Sequence, residues 1–129
     1  MIPVLGGYEM NDSILLTIRK LIGGEEEYSS SDPFILNILI AINTALAMVN
    51  QLGVGVDGFT VEDETATWAD FLGDSEERYG VKLNEVKSLV YMKVRKEFDP
   101  PTSSALMNAI DGSIEELSWR ICTKVETAV

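Results

Sequence analysis

The strongest constraint on the fold is one apolar run, "FILNILIAINTALAMV" at residues 34–49, which directly follows Asp32 and Pro33. An aspartate can cap the free backbone N–H groups at the start of a helix, and proline fits the first helical position because no N–H is needed there. The run therefore predicts a helix from Pro33 to about Leu52 that ends at Gly53. Because this helix is apolar on nearly every side, we expect the other helices to surround it.

The same run is a poor candidate for crossing a membrane. It is shorter than the ~20 residues that a spanning helix needs. It also contains Asn37 and Asn43 and has no basic residues at its flanks. We therefore expect a core helix and no membrane partner.

Four other segments carry helical patterns. In residues 11–24, Asn11 or Asp12 can act as the cap, apolar residues recur at a helical spacing, and Gly23 can take the left-handed position at the end. The other three are a short helix within residues 65–73, a helix over residues 83–98 and a last helix over about residues 103–126. We read residues 74–82, which are polar and contain a glycine, as a loop.

The predicted fold class is therefore all-α. It is a small bundle of about four to five helices around the central apolar helix, with a glycine-rich loop or a short β-hairpin near residues 53–64. A length of 129 residues indicates one domain. Residues 1–10 show no apolar period and are expected to form an N-terminal arm, which leaves residues 11–129 as the single helical domain.

Two adjacent prolines separate the last two predicted helices. Asp99 precedes a proline and is pushed out of helical geometry, while Pro100 and Pro101 cannot continue the preceding helix. Thr102 or Ser103 can then cap the next helix. This joint is short and its backbone is restricted, so it should fix the direction of the last helix.

The charge balance restricts the partners of the chain. Acidic residues outnumber basic ones 21 to 10, which gives a net charge of −11. This argues against the lysine and arginine surface that grips a phosphate backbone. It is compatible with a protein that surrounds DNA without holding it, because an acidic wall repels a polyanion.

The residues for catalysis and cofactor binding are missing. The chain has no histidine, and Cys122 is its single cysteine, so Ser-His and Cys-His systems and disulfides within the chain are excluded. The acidic clusters at 25–27 and 62–64 lack the spacing of a calcium loop, and the "GVGVDG" motif at 53–58 follows a helix instead of a strand. We predict no enzyme activity, no catalytic residues, no cofactor and no metal.

The last predicted helix carries the best candidates for contact with another chain. Trp119 lies nearly opposite its apolar stripe, and Gly112 lies on the same outer face. Trp119 either anchors a partner or is covered by a loop or by the N-terminal arm, and the pattern leaves both options open. Trp68 and Phe71 on the short helix are further candidates, although a core position fits them better.

Several blocks of sequence resemble a known family. They are "NDSILLTIRKLIG", "NQLGVGVDGFTVEDETATWADFLGD", "VKSLVYMKVRKEFDPPTSSAL" and "EELSWR", within about residues 11–121. On these blocks the chain is similar to the small head–tail connector proteins of tailed bacteriophages, also called adaptor or head-completion proteins. The likeness is greatest to those of phages of Gram-positive bacteria. Residues 1–9 look like an extension beyond the usual start near Met10.

The resemblance implies a structural, all-α protein of the virion. Such proteins form a ring, expected to be dodecameric, beneath the portal, and they are assembled in the bacterial host cytoplasm. The ring extends the DNA channel, which DNA passes without specific binding, and docks the next connector, stopper or tail protein. Trp119, Trp68, Phe71, Pro100, Pro101 and Gly112 are the residues that we expect at its interfaces.

Three other functions compete with this one. Another helical virion protein, such as a tail-completion or stopper component, would share the composition. A small cytoplasmic regulator could use an acidic surface to bind a basic protein, and it would be a stable monomer or dimer. An enzyme that uses acidic residues and a metal is the least favoured, because histidine and ligand spacing are absent.

Overall fold

The computed structural model describes residues 9–23 and 33–128. In this part of the chain a 3-10 turn, Glu9–Asn11, precedes six α-helices. The helices are α1 (Ile14–Leu21), α2 (Pro33–Gln51), α3 (Trp68–Leu72), α4 (Ser75–Tyr79), α5 (Leu83–Phe98) and α6 (Ser104–Thr127). No strand occurs among the described residues, which confirms the all-α class and makes the segment near 53–64 a loop instead of a hairpin.

Helix α2 supplies the largest share of the core. Its buried side packs mainly against α5 and also against α1, and it carries Ile35, Ile38, Ala41, Ile42, Ala45, Leu46 and Val49. The helix ends at Gln51, and Gly53 follows with φ +103°, close to the predicted end. The cap predicted at Asp32 lies outside the described residues.

Other helices cover α2 on one side, where it packs against α5 and α1, and leave its other side uncovered. One side of the helix faces solvent and exposes apolar side chains, including Leu36 at 61% and Ile40 at 57%. Residues 34–51 are, by length and composition alone, also apolar enough to cross a bilayer. All-round apolarity therefore does not mean all-round burial here.

The N-cap of helix α1 lies one residue after Asp12 and two residues after Asn11, the two predicted caps. Ser13, not Asn11 or Asp12, is the N-cap, and its hydroxyl accepts a hydrogen bond from Leu16 N at 3.2 Å. The adjoining backbone is bridged to the start of α3: Ile14 N donates to Ala66 O at 3.0 Å. Ser13 fits the cap because its backbone is extended and already paired with the distant segment.

Residues 52–67, which we call the glycine loop, are fixed to the helices by side chains. Asn43 of α2 pairs with both backbone groups of Val61, donating at 3.0 Å and accepting at 2.7 Å. The Asn50 amide donates to Val54 O, and Gly55 N donates to the Ser75 hydroxyl at 2.8 Å. The loop therefore has fixed partners on α2 and α4.

The loop predicted over residues 74–82 contains a helix. Ser75–Tyr79 form the one-turn helix α4, which ends at Gly80 in the left-handed conformation, φ +73°. A segment of this length is too short to show an apolar period, so its residues carry no helical signal. The described residues accordingly form six α-helices, one more than the upper end of the expected four to five.

The two long C-terminal helices meet at the proline joint. α5 spans the predicted residues 83–98, and Ser103, one of the two predicted caps, accepts a hydrogen bond from Leu106 N at 3.3 Å. Only residues 99–103 separate the helices. Nearer its C-terminus α6 is attached to the start of α5 by Lys124, which donates to Glu85 Oε1 at 2.6 Å and to Gly80 O at 3.3 Å.

Candidate interaction surfaces

The described chain offers no arrangement suited to catalysis. Across residues 9–23 and 33–128 no three metal-ligating side chains come together. The lone thiol of Cys122 donates a hydrogen bond to Glu126 at 3.3 Å, and this bond raises the pKa of the thiol. A raised pKa lowers the thiolate fraction, so Cys122 is a weak nucleophile.

A groove runs between α2, α5 and the first half of α6. Its deeper part has a volume of about 180 Å³, less than the roughly 300–1,000 Å³ of small-molecule sites. We call this part the α2 groove. It is lined by Ala41, Thr44, Ala45 and Met48 of α2, Lys93, Lys96 and Glu97 of α5, and Ile114 of α6. Its size and mainly apolar floor suit a side chain of another protein better than a metabolite.

The exposed side of α2 continues the α2 groove outward. Ile40 lines a neighbouring shallow cleft together with Asn37 and Phe98, and Leu36 lies one helical turn before Ile40. Met48 is 42% exposed at the other end. Sequence reasoning missed this surface, although its signal was present: a helix that is apolar all round exposes apolar residues wherever its neighbours do not cover it.

Two lysines of α5 give the α2 groove a positive edge. Lys96 pairs with Asp111 at 2.5 Å, whereas no carboxylate among the described residues forms an ion pair with Lys93. Partial burial and the neighbouring charge of Lys96 lower the pKa of Lys93. Glu97 also lines the groove but lies outside ion-pair distance of Lys93. An incoming carboxylate would therefore find a cation that lacks a partner of opposite charge within the described chain.

The outer side of α6 carries an exposed tryptophan among acids. Trp119 is 68% exposed, so neither a loop nor a helix of the described chain covers it. Glu115 and Glu116 lie one turn before it, and Gly112 two turns before it, all exposed. We call these four residues the Trp119 edge. Glu116 pairs with Arg120 at 2.7 Å, while Glu115 has no cationic partner among the described residues.

The other predicted interface residues near α6 are the two prolines of the joint and Gly112. Pro100 is exposed and Pro101 half-buried in the joint, so both act on the direction of α6 and offer little surface of their own. A Cβ at Gly112 would meet no atom within 4 Å, and α6 continues through this residue without interruption. Nothing within the described chain requires a glycine there.

Trp68 and Phe71 are core residues, so the prediction that they contact another chain is corrected. Trp68 is fully buried, and its indole N–H donates to the Thr17 hydroxyl at 3.3 Å. Phe71 is 1% exposed and lies edge-on to Phe59, with ring centroids 5.5 Å apart. Trp68 joins α3 to α1, and Phe71 packs against the glycine loop, so neither ring is available to a partner in this fold.

The α2 groove and the Trp119 edge face different directions. Ile114 of α6 lines the groove, and Trp119 follows five residues later, about 140° further around the helix. One surface is apolar with a positive edge, and the other presents an aromatic ring among carboxylates. The chain thus carries two unlike surfaces on separate sides.

Comparison with known proteins identifies one family. A family model described as "phage connector protein" matches residues 14–128, which include all six α-helices. No curated protein and no solved structure matches the chain.

Proposed function

The chain belongs to the phage connector protein family, and from this premise we propose that it is a structural head–tail connector of a tailed bacteriophage virion. Its copies form a dodecameric ring beneath the portal, extend the DNA channel and dock the next connector, stopper or tail protein. The ring is assembled in the host cytoplasm and has no enzymatic role. The family match over residues 14–128 is the observation that carries this proposal.

The charge of the chain supports a conduit. A net charge of −11 at pH 7 gives a ring of many copies a strongly negative surface. DNA repelled by the wall passes through without binding sites that would retain it. A protein that instead held DNA in place would need phosphate contacts from lysine and arginine, of which the chain has 10 against 21 acids.

The Trp119 edge supplies a contact surface, and the proline joint sets the direction of the helix that carries it. Pro100 and Pro101 restrict the backbone between α5 and α6, so the direction of α6 is set before any partner binds. A helix held in this way presents Trp119 at low entropic cost. Exposed tryptophans are favoured as anchors of protein interfaces.

Co-expression with the portal protein of the same phage tests the proposal. We expect a tagged portal to retain the chain, and negative-stain images to show an added ring with a central hole. Trp119→Ala should reduce ring formation or portal retention and leave the helix content unchanged. Ser113→Ala, an exposed change on another side of α6, is the matched control.

Two outcomes would contradict the proposal. A chain that stays a monomer or dimer and is not retained by the portal is not a connector. If it then binds a soluble basic protein tightly, the acidic-regulator function gains support instead. If Trp119→Ala unfolds the chain, Trp119 serves the fold and not an interface.

A further inference from the structure

We propose that the Trp119 edge of one copy binds the α2 groove of the next copy, so that these two surfaces form the contact between neighbouring subunits. That the repeated contact closes into a ring rests on the proposed connector function. The contact itself is argued from the apolar match, the charges and the relative directions of the two surfaces.

The apolar parts of the two surfaces complement each other. Trp119 exposes 68% of its area to water, which is unfavourable for a large aromatic side chain on a chain that acts alone. Ala41, Ala45, Met48 and Ile114 offer it an apolar floor, and the small side chains of the alanines leave room for a ring. Burial of an indole in such a groove removes apolar area from water on both sides.

The unpaired charges of the two surfaces are opposite. Lys96 is already paired with Asp111, Glu116 is already paired with Arg120, and Glu97 also lines the groove. Lys93 and Lys96 stand at the rim of the α2 groove, and Glu115 and Glu116 flank the tryptophan. Lys93 and Glu115 have no ion-pair partner within the described chain. Seating the edge in the groove would bring these two unpaired charges near each other. It would also bring an anion to the place where neighbouring Lys96 now disfavours the charged form of Lys93.

The partner that fits best is a second copy of this chain. The unpaired charge of Lys93 at the rim of the groove favours an acidic partner, and this chain is itself strongly acidic and carries an exposed aromatic ring among its acids. Because the groove and the edge are unlike and point in different directions, each copy keeps one surface free after the first contact. Such a heterologous contact repeats from copy to copy and gives a ring where the rotation closes.

Gly112 supports a close approach at this contact. A glycine inside a helix costs roughly 0.5–1 kcal/mol relative to alanine, and no neighbouring atom in the described chain restricts the space at its Cβ position. Two helical turns along from Trp119, a residue without a side chain lets the backbone of another copy lie close to α6.

Disulfide trapping in concentrated solution tests the contact. In a Cys122→Ser background, Thr44→Cys puts a thiol in the groove and Glu115→Cys puts one at the edge, while Trp119 stays in place. We expect the double variant to give a ladder of linked oligomers under mild oxidation. The two single variants are the controls and should remain unlinked, because in a heterologous contact neither position meets its own counterpart.

Charge exchange measures the contact without cysteine. Lys93→Glu and Glu115→Lys should each weaken self-association about tenfold in sedimentation velocity, because each puts like charges together. The variant that carries both changes should recover most of the loss, since every copy then offers the exchanged pair. Glu77→Lys, on the exposed side of α4, alters the net charge by the same amount as Glu115→Lys and should have no effect on self-association.

Three results would overturn the inference. The first is a double-cysteine variant that stays monomeric under oxidation, and the second is a linked dimer from either single-cysteine variant. The third is a double charge variant whose loss of self-association is the sum of the two single losses. If the ring on the portal still forms in such a case, only this contact is wrong and the connector function stands. If the ladder forms but the portal does not retain the chain, the contact stands and the connector function fails.

Discussion

The glycine loop has an irregular backbone but is held in the core, whereas helix α6 is regular but mostly exposed. Gly53, Gly55 and Gly58 all take positive φ angles in a segment without helix or strand. Even so, Val54 and Val61 are buried, and side chains from α2 and α4 hold the backbone of the loop. By its contacts the loop is a part of the core.

Helix α6 is the longest element and the least buried for its length. Of its 24 residues only Ile110 and Ile121 are buried. Its predicted apolar stripe runs from Leu106 to Val125, yet Leu106 is 46% exposed. The helix owes its regularity to hydrogen bonds within itself, and most of its surface remains free.

This comparison shows that helical regularity and burial in the core are separate properties, although the same apolar pattern is used to predict both. Helical regularity arises from neighbours in sequence, whereas membership of the core arises from contacts between distant residues. The irregular loop is required by the fold. The regular helix keeps most of its side chains exposed, and it is there that we propose the contact with another copy of the chain.

The largest expected effect compares the two tryptophans. Trp68→Ala should lower the free energy of unfolding by about 3–5 kcal/mol, since it empties a fully buried position next to the loop. Trp119→Ala should change that free energy by less than about 0.5 kcal/mol, because its ring touches little of its own chain. Urea unfolding followed by circular dichroism, at a concentration where the chain is monomeric, measures both. Equal losses would show that α6 is as deeply integrated as the loop.

The next effect tests how closely the loop backbone approaches the core. A Cβ at Gly55 would lie 2.5 Å from the ring of Phe71, and its φ of +89° is unfavourable for any other residue. Gly55→Ala should therefore cost about 3 kcal/mol of unfolding free energy. Gly58→Ala has the same type of φ, +76°, but meets no atom within 4 Å, so it should cost only about 1 kcal/mol.

Equal thermal shifts of these two glycine variants would mean that φ alone accounts for the loss. The approach of the loop to Phe71 would then contribute nothing. A larger loss for Gly55→Ala, recovered in part by Phe71→Leu, would confirm that the ring and the new Cβ compete for the same space.

The third effect on stability concerns the two hydrogen bonds between the Asn43 side chain and the backbone of Val61, which we call the Asn43 clasp. Asn43→Ala leaves both backbone groups of buried Val61 without their partner, at a cost of about 2 kcal/mol. Asn37→Ala, an exposed asparagine on the same helix, is the control and should be neutral or slightly stabilising. Hydrogen exchange should also speed up at Val61 N–H in Asn43→Ala and not in the control. Unchanged exchange would show that the loop is held without the clasp.

The sequence predicted the bounds of the helices better than the contacts that the helices make with distant residues. The bounds of α5, the end of α2 and the cap at Ser103 follow from local signals, namely apolar spacing, glycine and a hydroxyl side chain. The wrong cap at α1 and the missed helix α4 both depend on contacts that are distant in sequence, Ser13 with Thr67 and Ser75 with Gly55. No spacing within a segment encodes such a pair.

The two candidate interaction surfaces show the same limit of prediction from local sequence. The place of Trp119 on the outer face of α6 could be predicted from its position opposite an apolar stripe, because a helical period fixes the angle between residues. Whether a loop or the N-terminal arm covers it could not be predicted, and the structure shows it 68% exposed. The α2 groove could not be read in this way. It exists only where α2, α5 and α6 come together, and no one helix carries its pattern.

A smaller effect of opposite sign is expected at the glycine of α6. Gly112→Ala should raise the free energy of unfolding by roughly 0.5–1 kcal/mol, because a helix gains from alanine and no atom opposes the new methyl group. The same change should weaken self-association if Gly112 lies against a second copy. Thermal unfolding and sedimentation of one preparation separate the two results. Greater stability with unchanged association would remove Gly112 from the proposed contact.

The smallest effect concerns how α6 is attached. Burial raises the pKa of Glu85, but hydrogen bonds from the Lys124 ammonium and the Lys82 N–H outweigh it and hold the pKa below its ordinary 4.5. The carboxylate therefore stabilises the fold fully above that ordinary value, and the contribution is lost as the pH falls through the lower folded pKa. Exposed ion pairs contribute about 0.2–1 kcal/mol, so the acid-induced loss should be small. Lys124→Met should flatten the pH dependence between about pH 5 and 3. Arg120→Met breaks the pair with Glu116 within α6 and removes only the weakest of the charge effects that lower the pKa of Glu85, so it should leave most of the pH dependence. Equal profiles for both variants would mean that the ion pair does not attach α6, and the apolar contacts of Ile121 and Val125 would then account for its position.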